Sequence, residues 1–309
     1  MKVLIEIPTW LGDTVMSSPS IEKILDHFKG SEIYSLSFNR SQNIFQHHPL
    51  FHGHLKIPKS YRGLYGKVIA LGKFDLFISF RNSFRSKIIG KILRAKRIFF
   101  FNGKRYPNCH QVEKYEKFIS EITGVKSIAS ELKIYKNKAV KIEKYVNSVG
   151  INPGAAYGES KCWPPEYFVQ LIEKLTKDSH VVIFGPKNDF RLSQIIESNL
   201  KKKKIKNYTN LSGKTSIDEL IEIISKLKLF ITGDSGPMHI AAAFQVPTIA
   251  IFGSTRIEET SQWKNQLTVN LVKKLSCQPC MKRSCPLGHH DCMKLISPDE
   301  VYKRVLKLI

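Results

Sequence analysis

A chain of 309 residues is long for one compact domain and fits two of about 150. An apolar share of 42% is enough for a real core, while no run approaches the ~18 apolar residues of a membrane-spanning helix, which excludes a membrane-buried bundle. The net charge of +23 favours polyanions as partners: nucleic acid, an anionic membrane surface or a phosphorylated substrate.

In chain order, apolar runs at 3–7, 33–38, 76–80 and 98–101 predict buried strands, and 18–28 and 112–123 have helical spacing. The first run contains Glu6 and leads into Trp10-Leu11-Gly12-Asp13, which is no secretory signal. A cytoplasmic protein is therefore expected, with six cysteines kept as thiols. Between 56 and 105, fourteen Lys or Arg stand against one acid, Asp75, a tract that reads either as a solvated basic face or as an anion-binding one. A Lys-rich stretch at 133–149 has no core signal and is taken as the linker. A second series follows, with strands near 149 and at 181–184, 229–232, 248–252 and 267–272. Its helices are expected at 166–176, 217–226, 238–244 and 298–308. Strands alternating with helices imply parallel sheets covered on both faces.

Ligands of such sheets sit at the carboxyl ends of the strands, and each chemical motif falls just after a predicted strand. Gly12 permits a tight turn, and Asp13 reads either as a helix cap or as a general base. In 152–164, small residues leave room for a ligand, and Lys161 supplies a compact charge for a diphosphate. The Gly-x-x-x-x-Gly-Lys-Ser/Thr loop is absent, so nucleoside triphosphate hydrolysis is unsupported. In 229–243 a strand ends at Gly233 and Pro237 opens a helix, leaving the amides of Ser235 and Gly236 as an anion site. Asp234 is expected to orient that turn through the amides, and His239 lies one turn in. Asp189 reads as a ribose contact or a cap. Neither half carries Gly-x-Gly-x-x-Gly, which counts against a nicotinamide or flavin enzyme. Cys277, Cys280, Cys285 and Cys292 match no common zinc finger in spacing. They read as a structural zinc site, a compact loop of thiols or a disulfide formed under stress, and four thiolates would leave no open position for catalysis.

Taken in order, segments 10–16, 152–164, 213–216, 234–239, 252–255 and 277–292 resemble those of the lipopolysaccharide heptosyltransferases, most closely the type II branch. The resemblance implies a GT-B fold: α/β, two Rossmann-like doubly wound domains facing a central cleft. Residues 1–148 would bind the acceptor. Residues 149–309, with the Cys-rich segment 277–292 and a C-terminal helix, would bind the nucleotide sugar. It implies inverting transfer of L-glycero-D-manno-heptose from ADP-heptose to the heptosyl–Kdo–lipid A inner core, with no cofactor required. Asp13 becomes the general base and Lys161 neutralises the departing diphosphate. Asp189 contacts the ribose, while Asp234, Ser235, Gly236, Pro237, Met238, His239 and Thr255 line the donor site. Gly12 and Thr14, with Arg62, Arg81 and Arg85 of the basic tract, fall on the acceptor side. The partner is then an anionic Kdo–lipid A acceptor at the inner face of the inner membrane, with the enzyme peripherally associated and no nucleic acid involved. Two other readings are a basic nucleic-acid-binding protein, for which no recognised module is present, and a transferase of the same fold using another nucleotide sugar.

Overall fold

The computed structural model describes residues 1–38, 44–57, 60–186 and 191–309. The chain folds as two compact units, Met1–Tyr135 and Lys136–Ile309. The first comprises β1 (Lys2–Glu6), α1 (Leu11–Met16), α2 (Ser18–His27), β2 (Glu32–Ser37), β3 (Gly53–Lys56), α3 (Leu64–Ile69), β4 (Leu76–Ser79), α4 (Phe84–Leu93), β5 (Arg97–Phe100) and α5 (Gln111–Thr123). The second comprises β6 (Val149–Asn152), α6 (Pro165–Leu175), β7 (Val181–Ile183), α7 (Arg191–Lys202), β8 (Tyr208–Asn210), α8 (Ile217–Ile224), β9 (Leu229–Gly233), α9 (Gly236–Ala243), β10 (Thr248–Phe252), α10 (Ile257–Thr260), β11 (Thr268–Val272), α11 (Asp291–Lys294) and α12 (Pro298–Leu308).

Both sheets are parallel, with strand orders β3-β2-β1-β4-β5 and β11-β10-β9-β6-β7-β8. The α/β, doubly wound class expected from the alternation is what forms. β1, β6, β9 and β10 are almost entirely buried, as strands covered on both faces must be. Local chemistry sets the helix ends. Ser216 and Glu219 close a capping box on α8, and His110 with Glu113 does the same for α5.

The segment expected to link the halves belongs with the second unit. Lys136 pairs with Glu222 (3.0 Å), the Asn137 amide donates to Asp218 (3.0 Å), and the Asn147 N–H donates to the Lys226 carbonyl (3.1 Å). The boundary therefore falls at 135/136 rather than 148/149, because these polar ties hold the Lys-rich stretch to α8 and its exit. The sequence also gave no sign of α3, α4, α7, β3 or β8. β8 is only three residues long, and Lys91 interrupts the apolar spacing of α4.

The core of the second unit runs from Val149 to Val305 and includes Trp163, which is 1% exposed. Its ring meets Phe168 edge-on at 4.9 Å, and its Nε1 donates to the Ile296 carbonyl at 2.8 Å. Trp163→Ala is expected to cost about 3–5 kcal/mol through the cavity and the stranded carbonyl. Urea unfolding checks this, and a loss under about 1 kcal/mol would mean that α6 and α11 close over the gap.

Candidate functional site

Each sheet has one place where the strand order reverses: between β1 and β4, and between β6 and β9. There the loops leaving adjacent strands diverge and leave a crevice. Glu6 ends β1 and Asp13 follows it, Arg81 follows β4, Lys161 follows β6 and Asp234 follows β9.

In the second unit, Asn152 is in register with Thr232, so the two loops leave side by side. Asp234, 5% exposed, is the hub. Its Oδ2 accepts from Lys161 Nζ at 2.6 Å, Thr255 Oγ1 at 2.6 Å and Thr260 Oγ1 at 3.3 Å. The carboxylate thus holds a cation and two hydroxyls, where the sequence suggested that it would orient the turn amides. The loop carrying Lys161 is itself pinned. Gly158 has φ +152, and a Cβ there would stand against the Arg283 carbonyl oxygen. Gly233 lets the Lys161 carbonyl approach; a Cβ would lie 2.8 Å from it. The Lys161 ammonium also sits 4.8 Å over the Tyr157 ring, with the Arg283 guanidinium 5.6 Å from the same ring.

α9 begins at Gly236 with Pro237 in its first turn, directly after β9. The Ser235 hydroxyl is turned back, bonding Thr232 Oγ1 (2.9 Å) and accepting from the Asn152 amide (3.2 Å). Met238 does not line a donor site: it is buried against Ala250 and Phe252, because it lies on the face of α9 that covers the sheet. His239 is 2% exposed on the same short helix. Asp189 lies outside the described residues.

The cysteine segment bears on this loop through its backbone. Tyr157 Oη donates to the Met281 carbonyl (2.7 Å), Ser160 Oγ to that of Lys282 (2.6 Å), and the Ser160 N–H to that of Arg283 (3.0 Å). All six cysteines are free thiols. Among the described residues, no three His, Cys, Asp or Glu side chains are arranged to hold a metal ion. Cys292 is buried on α11, while Cys277, Cys280 and Cys285 are half-buried in the preceding loop. Burial, reinforced by the other three sulfurs, pushes the Cys292 thiol up to about 11.

In the first unit, Asp13 is not a helix cap. Trp10 occupies that position, and Asp13, half-buried in the first turn of α1, accepts from Tyr115 Oη at 3.3 Å. Burial and then the Asp13 charge hold the Tyr115 phenol well above its ordinary value. Thr14 faces inward: fully buried, it donates to the Pro8 and Trp10 carbonyls and braces the loop. Gly12 stays half-buried beside Asp13. Arg81 and Arg85 both stack on Phe38, at 4.7 and 4.6 Å, and Arg85 also covers Tyr61 at 5.1 Å. Arg62 is exposed on a turn and is not drawn into this cluster.

Sequence reasoning passed over Glu6, Tyr157, Thr260 and the 281–283 backbone as parts of these sites. Glu6 carried a signal: an acid inside a buried strand, at its carboxyl end. It is 0% exposed, in register with Ser79, and accepts from Ser79 Oγ, Ser86 Oγ (3.0 Å) and Arg81 (3.1 Å). The others had none, since they act through a backbone carbonyl or across a long loop.

The matching model for glycosyltransferase family 9 (heptosyltransferase) covers residues 65–290. The lipooligosaccharide heptosyltransferase 2 of Campylobacter jejuni subsp. jejuni serotype O:2 is 37% identical over 319 residues, spanning 100% of this chain and 98% of that one. The chain belongs to glycosyltransferase family 9, the heptosyltransferases. The family 9 fold is also that of solved relatives. The structure of Escherichia coli ADP-heptose lipopolysaccharide heptosyltransferase II matches with a TM-score of 0.83 at 20% identity, covering 100% of this chain and 98% of that one. Escherichia coli heptosyltransferase WaaC with ADP matches at 0.77 and 14%, covering 100% of both chains. This family 9 member is accordingly a glycosyltransferase, and the two crevices are where its substrates are to be sought.

Burial raises the Glu6 carboxyl above its ordinary value of 4.5, although Ser79 and Arg81 oppose the shift. A group whose folded value is raised binds its proton more tightly in the folded state, so folding loses stability as pH climbs from the unfolded value to the folded one. Glu6→Gln, which does not titrate, should therefore gain stability relative to the parent across that interval and show a constant difference below about pH 4. Denaturant midpoints at several pH values measure it; a relative stability that falls with rising pH would reverse the assigned shift.

Proposed function

We propose that this heptosyltransferase of lipopolysaccharide or lipooligosaccharide biosynthesis moves L-glycero-D-manno-heptose from ADP-heptose to the heptose of a heptosyl–Kdo–lipid A inner core, with inversion. The reading rests above all on the Lys161–Asp234 pair beside the first turn of α9. A held cation beside the positive end of a helix at one strand end suits the diphosphate of a nucleotide sugar. The second unit is then the donor side and the first the acceptor side.

Asp13 takes the proton from the acceptor hydroxyl, whose oxygen attacks the anomeric carbon as the carbon–phosphate oxygen bond breaks. Negative charge grows on the departing ADP. Lys161 and the positive end of α9 meet it without reorganising, because Asp234, Thr255 and the Arg283 carbonyl have already fixed the loop. Tyr115 supports Asp13 as the acceptor of a hydrogen bond. Arg81 and Arg85, stacked on aromatic faces, suit the carboxylates and phosphates of the acceptor. The enzyme would meet that acceptor at the inner face of the inner membrane as a peripheral protein. Among the described residues no helix is long and apolar enough to cross a membrane.

Calorimetric titration with ADP, UDP and GDP tests the donor. ADP should bind in preference, and Lys161→Ala should weaken it by about 1–3 kcal/mol. Equal binding of UDP or GDP would favour another nucleotide sugar, and an unchanged affinity in the variant would move Lys161 out of the site.

Asp13→Asn should keep ADP affinity and lower turnover at least about a hundredfold, as loss of a general base does. Single-turnover assays with donor and lipid-linked acceptor decide it; near-parental turnover would leave Asp13 with only its bond to Tyr115.

A further inference from the structure

In the first unit, residues of α3, α4 and the turns that follow them line a groove of about 890 Å³. Its floor is apolar, formed by the buried Val68, Phe74 and Leu93. Its lips are apolar and open to solvent, with Tyr65 65% and Ile69 50% exposed. Lys73, Lys91, Arg94 and Lys96, all exposed, stand around it. The one acid on the rim, Asp75, is already occupied by Lys96 (2.8 Å) and the Lys2 N–H (2.9 Å). Phe84, 74% exposed at the start of α4, and the exposed Lys67 and Lys87 extend the same mixture across both helices.

A hydrocarbon slot inside a ring of cations suits one kind of ligand, an anionic amphiphile. Nucleic acid would use the cations but has nothing to place in the slot, and a neutral apolar peptide would leave the cations unused. We propose that the α3–α4 face docks on a bilayer containing anionic phospholipid, with lipid phosphates on the lysine and arginine rim and an acyl chain in the groove. The long Lys and Arg stems cover apolar surface while their heads reach the phosphates. The groove opens where Gly72–Asp75 lead into β4, at the opposite end of the sheet from Asp13 and Arg81, so it is separate from the crevice described above. Its use, holding the enzyme where a lipid-linked acceptor is found, rests on the proposed function; the surface itself does not.

Cosedimentation of the whole chain with vesicles tests it. Binding is expected to vesicles of about one-third phosphatidylglycerol and not to phosphatidylcholine alone. Lys91→Glu with Arg94→Glu should lower the partition at least about tenfold. Tyr65→Ser with Ile69→Ser should lower it severalfold at unchanged charge. Lys202→Glu with Lys204→Glu, an equal charge reversal in the second unit, should leave it close to parental, and melting curves confirm that each variant is folded. Equal loss in the Lys202/Lys204 variant, or parental binding by the Tyr65/Ile69 variant, would overturn the proposal, as would binding to phosphatidylcholine alone. Turnover separates the two proposals: the α3–α4 variants should be slow on acceptor embedded in vesicles and normal on a water-soluble, deacylated acceptor. An absence of transfer to any acceptor, with vesicle binding following the expected pattern, would remove the transferase reading and keep the docking face.

Discussion

The parallel pairing of β6 with β9 brings together two strands some eighty residues apart in sequence, and most of the candidate donor site depends on it. Once Asn152 stands against Thr232, the chain leaving β6 and the chain leaving β9 emerge side by side. Lys161 and Asp234 can then meet at 2.6 Å, and α9 starts two residues beyond Asp234. Gly233 allows the closeness, because any side chain there would strike the Lys161 backbone. The first unit repeats the arrangement with β1 and β4, where the register sets Glu6 against Ser79 and turns Arg81 toward both.

Both crevices contain buried charge, and burial of charge is costly unless it is paired. Lys161 and Asp234 answer one another, and two threonine hydroxyls take up the carboxylate's remaining capacity. Such a pair adds little net stability. Its value lies in placing an ammonium at a fixed point with part of its donor capacity directed elsewhere, ready to be shared with an incoming anion. Glu6 is a different case, since desolvation outweighs its arginine and serine partners and its carboxyl is held above the ordinary range. It steadies Arg81, while Arg85 lies against the rings of Phe38 and Tyr61 and donates to the Ser60 carbonyl.

The cysteine segment shows how a conspicuous motif can matter through its backbone. Its sulfurs attract attention in sequence, yet three consecutive carbonyls, those of Met281, Lys282 and Arg283, fix the loop that carries Lys161. Gly158 is where that fit is tightest, with a φ that only glycine adopts easily. Position, more than the chemistry of the thiols, couples this segment to the loop that carries Lys161.

The sequence by itself determined what is local. Apolar runs marked β1, β2, β4 to β7 and β9 to β11, and Pro237 after Asp234 marked the start of α9. The alternation fixed the α/β class, and motif order pointed to the family. It could not determine which strand ends adjoin or which way a side chain turns. Those outcomes are set by strand order, and strand order is decided by burial of whole sheet faces across long stretches of chain. For that reason Asp234 and Thr255 could each be singled out in the sequence, while their hydrogen bond, and that of Asp234 with Thr260, could not. Thr14 and Met238 read as ligand contacts but pack inward, and Glu6 read as an interruption in a strand. The groove between α3 and α4 was invisible for the same reason: its basic tract could be counted from the sequence, but only the packing of two helices left an apolar slot among the charges.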